Sequence, residues 1–225
     1  MNIGKLDSKY SGRFNVNSGL KVSFSSYKYS ERMIEVPFLF MNIMPPPAKV
    51  LDIGCCEAIY PIQLAMMGYD VIGVDTRQYG FQHENFRFIK TDFLKLNEFK
   101  KESFDVILNI SSIEHFGLKA YGNWDRDPDA DSAAMQKIKD LLKPGGQLIF
   151  TAPFGQKGRL LEFERIYDTH EINYLLRGFK IVNDVYYEVY QNKRIQEISK
   201  SQAEKIKHAI NSPISGTVCI NAKKI

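Results

Sequence analysis

From residue 49 onward, short apolar runs alternate with segments in which apolar residues recur at helical spacing. Runs rich in Val, Ile, Leu and Phe predict buried strands, and the longer amphipathic segments predict helices. Strands are predicted at residues 49–53, 70–74, 86–90, 104–110, 147–152, 179–187 and 216–222, and helices at residues 60–67, 132–142 and 168–176. Strands that alternate with helices predict an α/β fold with a largely parallel sheet.

The N-terminal part of the chain departs from this alternation. Residues 1 to about 28 are polar, with Gly, Ser and Asn among Tyr and Phe, which predicts an arm outside the core. A helix is expected from about Ser30, with Pro37 as a kink inside it, and the three prolines at 45–47 end it. We therefore expect an arm and helix at 1–47, a candidate lid, followed by one domain at 48–225.

The most informative stretch is residues 50–61, VLDIGCCEAIYP. One apolar run ends in Gly54, and a second, about twenty residues on, ends in Asp75. This order of elements predicts a nucleotide-binding half of a doubly wound sheet: a strand, a glycine turn, a helix and a second strand that ends in a carboxylate. In such a sheet the acid binds ribose hydroxyls. The turn lacks G-x-G-x-x-G and adds Glu57, which suits a nucleoside with a cationic or zwitterionic tail better than a diphosphate.

This turn resembles the first motif of the class I S-adenosylmethionine (SAM) dependent methyltransferases, which usually reads D-x-G-C-G-x-G. Cys56 and Ala58 stand where that family mostly has glycine. The resemblance covers about residues 48–225. It implies a Rossmann-like, doubly wound, seven-stranded sheet, mostly parallel, whose antiparallel last strand is inserted beside the sixth. It also implies SAM as cofactor and S-adenosylhomocysteine as product.

Ligands of open α/β sheets bind beyond the carboxyl ends of the strands, so the residues there are the site candidates. The resemblance implies that the Gly54 turn faces the methionine part of SAM, that Asp75 holds the ribose and that Asp92 accepts a hydrogen bond from adenine. A loop cap is the alternative role for Asp92. The predicted cofactor-binding residues are Asp52, Gly54, Cys55, Asp75, Asp92, Phe93, Asn109 and Ser111.

Glu114 and His115 follow the fourth predicted strand and are the predicted catalytic residues. A hydroxyl nucleophile reacts faster when its proton is removed during attack, and an imidazole with a pKa near ~6.5 suits that task. The Glu-His pair at this place resembles that of many small-molecule methyltransferases. We expect His115 to be the base, with Glu114 orienting it or contacting the substrate; the alternative is that His115 contacts only backbone or cofactor.

The loop 121–131 carries the only Trp, Trp124, and acids at alternate positions that begin with Asp125. One interpretation is a lip that binds a sugar through Trp124 and Asp125. A Mg²⁺ site is a lesser alternative. The third is a solvated loop in which Asp131 caps the following helix.

A second group of candidate acceptor contacts follows the fifth predicted strand. Arg165 is expected to bind a phosphate or carboxylate of an activated sugar, because its planar guanidinium matches such groups. Tyr167 is expected to line the same pocket. The alternative for Arg165 is an ion pair with Glu162 or Asp168, and Asp168 itself begins a capping-box-like helix start.

Composition and charge exclude several classes of protein. The 30 Lys and Arg and 26 acids give a net charge of +4, too even for a strong nucleic-acid footprint. We find neither an apolar run of roughly 18 residues for a membrane span nor a signal-peptide core. The spacing of the three cysteines resembles no zinc site. Their odd number argues against a disulfide framework, which favours the reducing cytoplasm. Residues 192–208 mix Lys and Glu and predict a solvated helix.

These observations predict a SAM-dependent O-methyltransferase that acts on a small polar acceptor. A sugar or glycan is the expected acceptor, because the turn at Gly54, the Glu-His pair and the loop 121–131 look most like methyltransferases of sugar and polysaccharide biosynthesis. The alternatives are an RNA or protein methyltransferase and a non-catalytic SAM-binding protein. The D/N-P-P-Y motif of DNA amino-methyltransferases does not follow Asn109.

Overall fold

A computed structural model describes residues 31–56, 58–119, 127–160, 163–190, 194–209 and 214–225. The strands are β1 (Lys49–Ile53), β2 (Asp70–Asp75), β3 (Phe86–Lys90), β4 (Phe104–Ile110), β5 (Leu142–Pro153), β6 (Gly158–Leu160), β7 (Glu164–Ile166), β8 (Phe179–Tyr190), β9 (Arg194–Ile198) and β10 (Ile214–Lys224). The helices are α1 (Arg32–Asn42), α2 (Tyr60–Met66), α3 (Ala130–Leu141), α4 (Thr169–Leu175) and α5 (Lys200–Ala203).

The main sheet has the strand order β3-β2-β1-β4-β5-β10-β8-β9. β1 pairs in parallel with both β2 and β4, and the parallel pairing extends to β3 and β5. β10 is antiparallel to both β5 and β8. The expected Rossmann-like α/β sheet, with its antiparallel last strand inserted beside the sixth predicted strand, is confirmed.

Both faces of β1, β2 and β4 are buried, which explains why these strands are apolar at most successive positions. On one face, Leu39 of α1 and Leu64 of α2 pack against sheet residues such as Val50. On the other face, α3 and α4 bury Ile138 and Ile172 in a second apolar cluster. The sheet is therefore sandwiched between two helical layers.

The N-terminal helix is fastened to the sheet. The Gln147 side chain on β5 donates from Nε2 to the carbonyl of Asn42 at 2.7 Å and accepts at Oε1 from the backbone N–H of Met44 at 2.8 Å. Phe38 and Leu39 of α1 are buried in the same cluster as Val50. The helix α1, expected as part of the arm and helix at 1–47, thus packs against the sheet. Residues 1–30 lie outside the described residues.

The prediction of a solvated helix at residues 192–208 is wrong for most of its length. β9 pairs antiparallel with β8, from Arg194 opposite Tyr190 to Ile198 opposite Tyr186, and the helix is reduced to α5. The unpaired edge of β8 offers backbone hydrogen bonds that outweigh a weak local helical preference. The main sheet therefore has eight strands rather than seven.

A second hairpin, β6–β7, was not predicted, because its two strands have three residues each. Asp131, considered as a cap of the following helix, lies buried inside the first turn of α3, whose N-cap residue is Asp129. Its Oδ1 accepts from the backbone N–H of Ser132 at 2.8 Å. The described residues contain no helix long and apolar enough to cross a membrane.

The predicted capping box at Asp168 is confirmed, and it allows a test of the local structure. Asp168 Oδ1 accepts from the N–H of Glu171 at 2.8 Å, and Glu171 Oε2 accepts from the N–H of Asp168 at 3.3 Å. Asp168→Ala should lower the free energy of unfolding by about 1 kcal/mol in urea denaturation. Asp168→Asn keeps a capping oxygen and should stay near wild type; equal losses for both variants would contradict the capping role.

Candidate functional site

A cavity of about 600 Å³ opens at the carboxyl ends of β1 to β4, where the order of the strands reverses between β1 and β4. This is the place where open α/β sheets bind ligands, and the volume lies within the roughly 300–1,000 Å³ of small-molecule pockets. The predicted site residues on its wall are Gly54, Asp75, Asp92, Phe93, Ser111 and His115.

Asp75, at the end of β2, ties the turn after β1 to the neighbouring strand. Its Oδ2 accepts from the backbone N–H of Cys56 at 2.8 Å, and its Oδ1 accepts from the backbone N–H of Arg77 at 2.8 Å and from Arg77 Nε at 3.4 Å. A carboxylate has about four acceptor positions, so Asp75 keeps capacity for a ligand hydroxyl. The cavity lies directly beside it.

The glycine turn tolerates the two departures from the usual motif. Gly54 has φ +82°, and a Cβ at this position would overlap Ser112 Oγ, so glycine is required here. Cys56 lies on the cavity wall and contributes its backbone N–H to Asp75. Ala58 is buried in the apolar cluster under α2, and its methyl group is not part of the wall.

The end of β3 supplies a polar and an aromatic group. Asp92 Oδ1 accepts from the N–H of Leu94 at 2.9 Å and caps the short 3₁₀ turn Phe93–Lys95. The two roles considered for Asp92 are therefore compatible, because it caps this turn and also faces the cavity. Phe93 is 3% exposed and forms an apolar part of the wall.

Asp52, Cys55 and Asn109 lie beneath the cavity and are not part of its wall. Side chains alternate between the two faces of a strand, so Ile53 lines the cavity while its neighbour Asp52 does not. Asp52 is fully buried: Oδ1 accepts from Tyr60 Oη at 3.2 Å, Oδ2 has no partner, and burial raises its pKa to about 7. Asn109 Oδ1 accepts from the N–H of Ile113 at 3.2 Å and so supports the next turn. These residues shape the site from below.

His115 lies in the 3₁₀ turn Ile113–His115 and faces the cavity. Its Nδ1 is 2.7 Å from the carbonyl oxygen of Phe163. Because a carbonyl can only accept, Nδ1 carries the proton and Nε2 is the basic nitrogen. Burial lowers the pKa of His115 from its ordinary 6.5, the Phe163 hydrogen bond opposes this, and nearby arginines add to the lowering. The imidazole is therefore neutral near pH 7.

Glu114 is placed behind His115 rather than on the cavity wall. It is 2% exposed, and Oε1 lies 3.7 Å from His115 Nε2, which is longer than a hydrogen bond. Its Oε2 has no hydrogen-bond partner among the described residues, and burial raises the pKa of Glu114 well above 4.5. This arrangement favours action through His115 over direct contact with a substrate.

Arg165 and Tyr167 point to Asp131 and not into this cavity. Arg165 Nε lies 3.4 Å from Asp131 Oδ2, and Tyr167 Oη donates to the same oxygen at 3.1 Å. The other Arg165 N–H groups donate to the carbonyls of Glu114, Phe116, Asp127 and Pro128. The guanidinium thus joins the turn that carries His115 to the start of α3. Its ion-pair partner is Asp131 and not Asp168, one of the two partners considered as the alternative.

Some predicted acceptor contacts cannot be placed. Trp124 and Asp125 fall within residues 120–126, and Glu162 within residues 161–162, all outside the described residues. In the described part of the chain, no group of three or more His, Cys, Asp or Glu side chains is arranged to hold a metal ion.

Glu35 of α1 was not predicted as a binding residue, and Arg32 was considered only as part of the candidate lid at 1–47. Glu35 is fully buried and accepts from Thr151 Oγ1 at 2.6 Å, from Ser111 Oγ and from Arg32 Nη1 at 3.0 Å. Arg32 lines the cavity and also donates from Nη1 to the carbonyl of Ile110 at 3.1 Å. The available signal was a glutamate inside an otherwise apolar stretch of the helix.

A family model described as "Caenorhabditis protein of unknown function, DUF268" matches residues 59–215. The chain belongs to this family. No curated protein sequence matches it.

Solved structures with the same architecture include methyltransferases. A Burkholderia thailandensis 1,6-didemethyltoxoflavin-N1-methyltransferase with bound S-adenosylhomocysteine is 20% identical, with a TM-score of 0.56 over 85% of this chain and 75% of that one. The N-methyltransferase NodS from Bradyrhizobium japonicum, with S-adenosylhomocysteine, is 15% identical, with a TM-score of 0.55 over 86% and 87%. The fold is therefore that of the SAM-dependent methyltransferases.

The same architecture also supports another chemistry. The [4+2]-cyclase SpnF is 15% identical, with a TM-score of 0.60 over 85% of this chain and 80% of that one. The fold alone thus does not specify the reaction, which has to be argued from the site.

The role of Arg165 in holding the His115 turn can be tested by stability. Arg165→Gln leaves Asp131 buried without its cation and should lower the free energy of unfolding by about 3 kcal/mol or more in urea denaturation. Arg159, the exposed residue opposite Arg165 on β6, provides the matched control. Arg159→Gln should change stability by less than about 0.5 kcal/mol; similar losses in the two variants would refute the role.

Proposed function

We propose that this protein transfers a methyl group from SAM to a hydroxyl oxygen of a small polar acceptor. The observation that carries the proposal is one cavity that has Asp75 at the end of β2, the Gly54 turn beside it and a neutral His115. A sugar or glycan remains the acceptor class expected from the sequence. The cytoplasmic location also remains a prediction.

The cavity wall offers suitable groups for each part of an adenosine. Val74 and Phe93 give it apolar surface for a base, and Asp92 offers an acceptor at the same end. Asp75 keeps acceptor capacity for ribose hydroxyls. Cys56, in place of a glycine, presents its backbone N–H to Asp75 and leaves the cavity open. These donors and acceptors fit a nucleoside cofactor.

The chemistry requires a methyl donor and a proton acceptor. SAM, when bound, supplies a sulfonium methyl carbon, so that the new C–O bond forms while the C–S electron pair stays on sulfur. His115 receives the hydroxyl proton at Nε2, because Nδ1 is held as a donor by the carbonyl of Phe163. Buried Glu114 lies behind the imidazole, with Oε1 3.7 Å from the same nitrogen.

The rival functions use the same cavity differently. An RNA or protein methyltransferase would accept a macromolecule at the mouth of this cavity, and a non-catalytic protein would bind SAM without transfer. The N-methyltransferases among the similar structures also make an acceptor nitrogen a direct competitor of the hydroxyl. Acceptor assays therefore have to include amines and RNA as well as sugars and glycans.

The cofactor part is tested by binding of S-adenosylhomocysteine in calorimetry. Asp75→Ala should weaken binding roughly 10- to 100-fold, because hydrogen bonds to a charged group are lost. Asp70, the exposed first residue of the same strand, is the matched control, and Asp70→Ala should bind as wild type. Absence of binding to the wild-type protein, or full binding to Asp75→Ala, would count against the proposal.

The base is tested by transfer of labelled methyl from SAM to sugars, glycans and amines. His115→Asn should lower turnover about 10²- to 10⁴-fold while cofactor affinity is kept. In the wild type, the rate should rise with pH through a pKa below 6.5 and be flat at neutral pH, because the neutral imidazole is the active form. His170→Asn, at an exposed histidine, is the control. Unchanged turnover in His115→Asn would exclude the role.

A further inference from the structure

The exposed residues of α1 are all apolar. Met33, Pro37 and Met41 recur every four residues, so they form one stripe about 12 Å long on the helix surface. The two charged residues of α1 do not lie on this stripe, because Glu35 is buried and Arg32 lines the cavity. A surface helix normally has polar side chains on its outer face, and an exposed apolar face marks a contact with a partner.

The apolar surface continues beyond the end of α1. Tyr69, which follows α2, donates from Oη to the carbonyl of Met44 at 2.8 Å, and this bond joins the ends of the two helical segments. Met44, Met66 and Met67 are exposed there, so that five of the six methionines in the described part of the chain lie at the surface. Methionine is a flexible apolar side chain that adapts to partners of variable shape.

Two lysines lie close to the C-terminal end of α1. Side chains alternate along β10, and Cys219 belongs to the apolar cluster under α1, so Lys223 lies on the same face of the sheet. Lys180 of β8 is directly opposite Lys223. On the same strand, Asn183 donates from Nδ2 to Asn42 Oδ1 of α1 at 3.3 Å, which brings the helix end to this part of the sheet.

The two lysines lack a counter-charge. Both are exposed, and within the described ranges neither Lys180 nor Lys223 has an ion-pair partner. Like charges directly opposite each other destabilise a pair of strands. An anion that contacts both lysines would relieve this repulsion, so the partner of the apolar face is expected to be negatively charged.

The other end of α1 adjoins the most basic segment of the sequence. Residues 1–30, which join α1 at Glu31, contain one acid, Asp7, and five basic residues: Lys5, Lys9, Arg13, Lys21 and Lys28. This segment accounts for the whole net charge of +4, and residues 31–225 contain equal numbers of basic and acidic residues. The apolar stripe thus has positive charge at both ends, the combination by which peripheral proteins bind anionic bilayers.

We propose that the apolar face of α1 binds the surface of an anionic lipid bilayer. Met33, Pro37 and Met41 enter the interface, while Lys180, Lys223 and the basic residues of 1–30 contact the phosphate groups of the lipids. The binding is reversible, because one short apolar stripe and a few basic residues give a moderate membrane affinity. It is independent of methyl transfer, and it brings the rim of the cavity at Arg32 to the bilayer.

Charge favours the bilayer over the other partners that could cover an apolar face. A second copy of the chain would bring the same lysines to the contact. Residues 1–30 have the same sign of charge as Lys180 and Lys223. A nucleic acid would neutralise the lysines, but its phosphate surface offers no apolar region for the methionines.

The test is co-sedimentation of the full chain with vesicles of phosphatidylcholine alone and with vesicles that contain roughly a third phosphatidylserine. The wild type should bind the anionic vesicles about 10-fold or more tightly than the neutral ones, and binding should weaken as salt screens the charges. The double variant Met33→Gln, Met41→Gln keeps the net charge and should bind anionic vesicles roughly 10- to 100-fold more weakly. Tyr174→Gln, at an exposed residue of α4 on the opposite face, is the matched control.

The basic part of the surface is tested in the same assay. The double variant Lys180→Gln, Lys223→Gln should bind anionic vesicles roughly 10- to 30-fold more weakly at low salt. Lys205→Gln with Lys207→Gln removes the same charge at exposed positions after α5, whose Ala203 packs on the opposite face, and should bind as wild type.

Several outcomes would overturn the proposal. These are equal binding of the wild type to both kinds of vesicle, and unchanged binding in the double methionine variant. A lower urea midpoint of that variant without vesicles would show that the chain itself covers the face. Its conversion from dimer to monomer in sedimentation equilibrium would assign the face to a second copy. Binding of RNA by the wild type without binding to vesicles would assign the charge to a nucleic acid.

Discussion

The parallel pairing of β1 with both β2 and β4 is the constraint on which the site depends. Each parallel pair requires a crossover, and the crossovers on the two sides of β1 run over opposite faces of the sheet. The turns that leave β1 and β4 therefore diverge and open a crevice at their carboxyl ends. Gly54, with its left-handed backbone, lets the β1 turn pass close to Ser112 after β4. The cavity follows from this topology.

Buried carboxylates hold the elements around that crevice together. Asp75 joins the β1 turn to β2 through the backbone N–H groups of Cys56 and Arg77. Glu35 joins α1 to β5 and to the turn after β4. Asp131 joins β7 to α3 through Arg165 and Tyr167. Each carboxylate is buried with several donors, which is the condition under which a buried charge is tolerated.

The environment of His115 connects this framework to chemistry. The Phe163 carbonyl fixes the tautomer, burial lowers the pKa, and Arg165 holds the turn through the carbonyls of Glu114 and Phe116. A residue expected to bind substrate thus acts on the backbone that carries the proposed base. The β6–β7 hairpin was too short to predict. It contains Arg165 on β7, and Phe163 lies between its two strands.

The sequence by itself determined the fold and several residues of the cavity wall. Apolar runs placed β1, β3 and β4 at their observed bounds, and the acids and glycine at the strand ends identified Gly54, Asp75 and Asp92 as residues of the cavity. These signals are local, because each depends only on the apolar pattern of one strand and on the residue directly after that strand. The tertiary structure alone decided the partners of Arg32, Glu35 and Arg165, since those contacts join segments distant in the chain. Burial of a charged side chain depends on which segments meet, and that information is absent from local spacing.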